Sequence, residues 1–107
     1  MPPKTPRQEV VVPVAPAQRM AFDAAAAAAG VSRRAHLEAL VLSFLVAPTG
    51  LLPGGVYRGA DRERVRFHVS IPVHAAIARL AEERGTTLTA VYATAISNAH
   101  PLPKTWR

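Results

Sequence analysis

The chain has 107 residues, half of them hydrophobic, no cysteine and a net charge of +6. The missing cysteine excludes a disulfide scaffold and a cysteine-based zinc site, and it fits a reducing compartment. Thirteen Lys and Arg against seven Asp and Glu suit a polyanionic partner, nucleic acid first and an anionic membrane surface second, with plain solubility as the alternative.

Residues 1–8, MPPKTPRQ, carry three prolines and two basic residues, Lys4 and Arg7, with no acid and no apolar stretch. They are expected to be a disordered basic arm rather than a signal peptide. Next, Val10, Val12 and Val14 alternate with Val11, Pro13 and Ala15, the period of a strand. Its outward positions would be Glu9, Val11, Pro13 and Ala15. A helix is expected from about Ala17 to Ala29. Its run Ala24–Ala29 combines the best helix former with a side chain small enough for another helix to approach closely. Gly30 stops this helix and Ser32 caps the next, which buries Leu37, Leu40, Val41, Phe44 and Leu45. The apolar stretch from Leu37 to Leu52 is interrupted by Glu38, Ser43, Pro48, Thr49 and Gly50, short of the ~18 apolar residues a membrane span needs. The chain therefore reads as soluble and cytoplasmic, with no membrane partner. Residues 47–63 are punctuated by proline and glycine and read as a linker.

Beyond the linker the signals are sharper. In the stretch from Val65 to Ile71, Val65, Phe67, Val69 and Ile71 face one side of a strand while Arg66, His68 and Ser70 face the other. Pro72 cannot continue a strand but suits the first turn of a helix. Ile77, Leu80 and Ala81 recur at helical spacing until Gly85. Thr87 then caps a last helix whose apolar stripe is Leu88, Val91, Tyr92, Ala95, Ile96 and Ala99. Residues 101–107, PLPKTWR, form a short tail whose Trp106 has no evident role.

The two segments share one order of elements. A shift of 55 residues sets Gly30 on Gly85, Phe22 on Ile77, Ser32 on Thr87, Leu37 on Tyr92 and Val41 on Ile96. An internal repeat of units this small implies one shared core. His36, His68, His74 and His100 show no metal-ligand spacing, and Gly50, Gly54, Gly55 and Gly59 match no phosphate-binding loop. Nothing pairs a nucleophile with a base, so neither an enzyme nor a cofactor is expected.

A strand ending in a hydrophobe and proline, a short helix, a glycine, a Ser/Thr cap and a second helix together resemble the ribbon-helix-helix superfamily. The stretch RVRFHVSIP…LAEERGTTLTAVYATAI carries most of that resemblance. It implies a mainly α, α+β fold: a tandem pseudo-dimer with a two-stranded antiparallel ribbon and four helices sharing one core. Copy one would be residues 9–46 and copy two residues 64–100. The nineteen residues from Val46 to Arg64 reach up to roughly 60 Å when extended, enough to return the second strand beside the first.

The resemblance further implies sequence-specific binding of double-stranded DNA, with the ribbon in the major groove. Arg66, His68 and Ser70 would read base edges. Ser32, Arg33 and Arg34, with Thr87 and Thr89, would hold phosphates at the starts of the second helices. Lys4 and Arg7 would add contacts from the arm. Two departures from the family stand out. The helix after Pro72 is somewhat short, which predicts an irregular start, and copy one lacks a polar reading face. Tandem copies resemble accessory factors of conjugative plasmid transfer; single copies resemble repressors and antitoxins. Partners would thus be DNA and a protein such as a relaxase or a toxin. The apolar outer face of copy one leaves open a protein-binding adaptor or antitoxin instead.

Overall fold

The computed structural model describes residues 7–48 and 63–100. Six elements follow one another: β1 (Arg7–Val14), α1 (Pro16–Ala29), α2 (Arg33–Val46), β2 (Glu63–Ser70), α3 (Ile71–Glu83) and α4 (Leu88–Ala99). The chain is α+β and mainly helical.

The strands pair antiparallel, from Arg7 opposite Ser70 to Val14 opposite Glu63. Alternation holds within each strand, but Ile71, expected on the buried face of β2, is instead the exposed first residue of α3, because the strand ends at Ser70. Val12, Val14, Val65, Phe67 and Val69 are buried on one face, and Val10 packs partly against them. Pairing runs unbroken through Pro13, opposite Arg64. A two-stranded ribbon tolerates this proline, because half of each strand's N–H groups point away from the partner.

Three further expectations for this region are corrected. Arg7 and Gln8 belong to β1 rather than to a disordered arm, since β2 is long enough to pair with them. Ala15 is not outward but fully buried: the chain turns into α1 there, so the strand's alternation ends at Val14. The start of α3 is regular, with Ser70 extended at the N-cap position and Pro72 in the first turn. Lys4, most of the linker and the tail with Trp106 lie outside the described residues.

Both helical hairpins turn the same way. Gly30 and Gly85 adopt left-handed conformations, φ 69° and 63°, which only glycine takes without strain. The N–H of Gly30 bonds the Ala27 carbonyl and that of Val31 the Ala26 carbonyl. Gly85 and Thr86 repeat this on Glu82 and Ala81. These double bonds satisfy the last carbonyls of each helix. Ser32 and Thr87 then cap α2 and α4, each accepting at 3.1 Å from the backbone N–H three residues on.

The core is shared. Helix α2 packs on β2, α4 packs on β1, and α2 also meets α3 and α4. Phe22 of α1 lies edge-on to Phe67 of β2, ring centres 5.2 Å apart. Ile77, Leu80 and Ala81 of α3 are buried, as are Leu37, Val41 and Phe44 of α2. Helix α4 departs from its expected stripe: every residue from Ala90 to Ile96 is buried, which makes it the central helix, while Leu88 is only partly buried and Ala99, at the helix end, is exposed. The alanine run of α1 does the opposite. Only Ala26 is buried, while Ala24 and Ala27–Ala29 are exposed. There, helix propensity rather than close packing accounts for the alanines.

Candidate nucleic-acid interface

The register settles which side chains share the solvent face of the ribbon. Arg7, Glu9, Val11 and Pro13 of β1 stand opposite Ser70, His68, Arg66 and Arg64 of β2. The helices cover the other face, and no element among the described residues covers this one. Arg66 is the most exposed of the ion-paired side chains, at 76 %. It lies 3.8 Å from the Glu9 carboxylate, with His68 3.7 Å from the other carboxylate oxygen. Exposed pairs this loose contribute little and break readily. Arg7 and Arg64 are exposed and make no ion pair among the described residues. Ser70 sits at the ribbon's end, half-buried, and its backbone N–H donates to Glu38 Oε1 at 2.7 Å.

The arginines expected to hold phosphates have other partners. Arg33 donates twice to Asp23, Nε to Oδ1 at 3.0 Å and Nη2 to Oδ2 at 2.9 Å. Its guanidinium also stands 6.0 Å from the centre of the Phe67 ring. Arg34 lies 3.6 Å from Glu38. A cation in the first turn of a helix is disfavoured by the helix dipole, and here carboxylates of the chain itself offset that cost. Ser32 and Thr87 serve as caps, and Thr89 is half-buried in the first turn of α4.

Sequence reading missed Arg64 on the ribbon face. The signal was present, since the alternation of Arg66, His68 and Ser70 extends back to Arg64. Arg7 is different: only the pairing register brings it to this face. Elsewhere the polar interior is well partnered. Gln18, buried in α1, accepts from the Ala15 N–H and donates to Ser97 Oγ at 3.0 Å and to the His100 carbonyl at 3.3 Å. Tyr92 meets His74 Nδ1 at 2.9 Å. Burial first, and then the charge of Glu38, pushes its hydroxyl above the ordinary tyrosine range.

Among the described residues no three His, Asp or Glu side chains gather as for a metal ion, and no helix is long and apolar enough to cross a membrane. An open cleft of about 320 Å³ lies at the C-terminal ends of α2 and α4, lined by Leu40, Phe44, Ala47, Ala95 and Ala99 with Ser43 and Asn98. No family model, curated protein or solved structure matches the chain.

Proposed function

We propose that the chain is a tandem ribbon-helix-helix protein, a pseudo-dimer in one polypeptide, that binds double-stranded DNA sequence-specifically through its ribbon. The observation that carries this reading is the solvent face of the ribbon. It presents Arg7, Arg64, Arg66 and His68 against a single acid, Glu9, on a two-stranded element of the width the major groove accepts. Arg66 near the centre is the strongest base reader, and Val11 opposite it offers a methyl contact to thymine. Arg7 and Arg64, nearer the ribbon's ends, serve phosphates.

The tandem arrangement has its own support. Pro16 and Ile71, Arg33 and Leu88, and Gly30 and Gly85 each stand 55 residues apart. Val11 and Arg66, also 55 apart, are direct partners in the ribbon. A two-fold axis relating two copies passes between such a pair. The packing of α2 on β2 and α4 on β1 is the exchange of partners that the same axis requires.

In this reading the protein acts in the cytoplasm by binding rather than catalysis, as an accessory factor of plasmid transfer that cooperates with a relaxase, or as a transcriptional repressor. A second reading, a protein-binding adaptor or antitoxin that grips a toxin, draws on the cleft between α2 and α4 and on the exposed Leu42 and Val46 of α2.

Selection from a random duplex pool followed by binding titrations at several salt concentrations tests the reading. Arg66→Ala should lose about 1–3 kcal/mol of discrimination at one base pair. Arg7→Ala with Arg64→Ala should weaken binding to all sequences alike and lower the salt slope by about one for each phosphate that is no longer neutralised. A chain that selects no sequence and shifts no DNA at low salt is the adaptor.

A further inference from the structure

His36 in α2 and His100 at the end of α4 are 64 residues apart in sequence, yet their Nε2 atoms approach to 3.1 Å. Their ring centres are 5.4 Å apart. Phe22 holds both rings edge-on, its centre 4.6 Å from His36 and 5.9 Å from His100. The Gln18 amide bonds the His100 carbonyl and so fixes that end of α4 from α1. Both rings are half-buried, leaving a side open to solvent. Nothing in the DNA reading uses this pair.

We propose that His36 and His100 form a two-histidine site for a borderline divalent transition metal such as Zn²⁺ or Ni²⁺. An ion bound at about 2.0–2.1 Å from each nitrogen, across a gap like the one present, subtends an angle between the octahedral and tetrahedral values. The rings now meet head-on, one Nε2–H donating to the other nitrogen. For the ion to bind, the donating ring changes tautomer, its proton passing through water to Nδ1; the ion then sits to the solvent side of the line between the nitrogens and draws the rings to tilt toward it. His100 stands at the C-cap of α4, just beyond the last helical residue. Imidazole suits zinc, nickel and copper, and water completes the coordination from the open side. The bound ion would clamp α2 to the end of α4, the two second helices.

The full, tag-free chain is melted with ZnCl₂, NiCl₂ or MgCl₂. With zinc or nickel about tenfold above the dissociation constant, the melting temperature should rise by about 5 °C or more, whereas magnesium should do nothing. His36→Gln or His100→Gln should abolish the rise, while His68→Gln and His74→Gln should keep it. Ring ¹⁵N spectra of the unaltered chain decide the matter without any variant: zinc must move the Nε2 signals of His36 and His100 ahead of those of the other two histidines. No rise with either metal, a rise that survives both Gln variants, or zinc shifts on His68 or His74 alone would overturn the site and leave the pair as a simple hydrogen bond.

Discussion

The two β-α-α halves, residues 7–46 and 63–99, share their turns, caps and helix starts but not their chemistry. On the ribbon the second half contributes Arg64, Arg66 and His68. The first contributes Arg7 with Glu9, Val11 and Pro13. Inside, the first half carries Phe22 where the second has Ile77, and the second carries Tyr92 where the first has Leu37. The difference separates what the backbone needs from what a surface does. Glycine at the left-handed turn and a hydroxyl at the cap recur because the geometry leaves few alternatives. The side chains facing solvent or the core interior differ because each meets a different neighbour.

The largest expected effect lies in the core, at the pair Phe22 and Ile77. Both are buried, but Phe22 also stacks edge-on with Phe67, His36 and His100. Phe22→Ala should cost about 3–5 kcal/mol in denaturant unfolding, with the cavity and the missing aromatic partner acting together. Ile77→Ala should fall toward the lower end of about 2–5 kcal/mol, since it removes aliphatic packing alone. Equal losses would mean that the aromatic cluster adds nothing beyond its volume.

Much of this was legible in the sequence. The buried faces of β2 and α3 and most of that of α2 follow from periodicity, and both turns follow from glycine and a capping hydroxyl. Ala15 was misplaced because alternation alone does not show where a strand gives way to a helix. Arg33 read as a free cation because Asp23 lies across the α1–α2 turn, a contact no local pattern encodes. The place of Arg7 depends on register, and the meeting of His36 with His100 depends on the whole fold. The DNA reading itself stands on the ribbon face, where sequence named Arg66 and His68 and the register added Arg7 and Arg64.

A middle-sized effect tests how each half meets one backbone requirement. The N–H groups of Ala15 and Ser70 stand at equivalent helix starts. Gln18 satisfies the first from within its own half, and Glu38 satisfies the second from the opposite half. Glu38→Ala removes a charged acceptor from the Ser70 N–H and a partner from Arg34, and should cost about 1.5–3 kcal/mol. Glu38→Gln should recover most of that, because the acceptor remains. Gln18→Ala leaves the Ala15 N–H unmatched and should cost about 1–3 kcal/mol. It also releases Ser97 and the His100 carbonyl, so the amides at the end of α4 should exchange faster. Glu38→Ala should leave those amides protected. Hydrogen exchange thus separates the two solutions even where the stability losses coincide.

The smallest effect concerns the feature in which the halves are most alike. Ser32 and Thr87 each accept one backbone N–H at 3.1 Å, and both residues are exposed. Replacing either by alanine should cost about 1 kcal/mol, and replacing either by glycine only a few tenths, because water then reaches the freed N–H. Matching losses are expected although α2 and α4 differ widely in burial, since a cap acts on the first turn and not on the helix body. A Thr87→Ala loss well above that of Ser32→Ala, measured by urea unfolding at equal m-value, would show that the central helix transmits the fraying of its first turn into the core. The repeat would then be a likeness of outline only, with α4 alone governing cooperativity. Equal losses would place the asymmetry of the molecule on its surfaces and in its aromatic cluster, where the ribbon and the Phe22 contacts already put it.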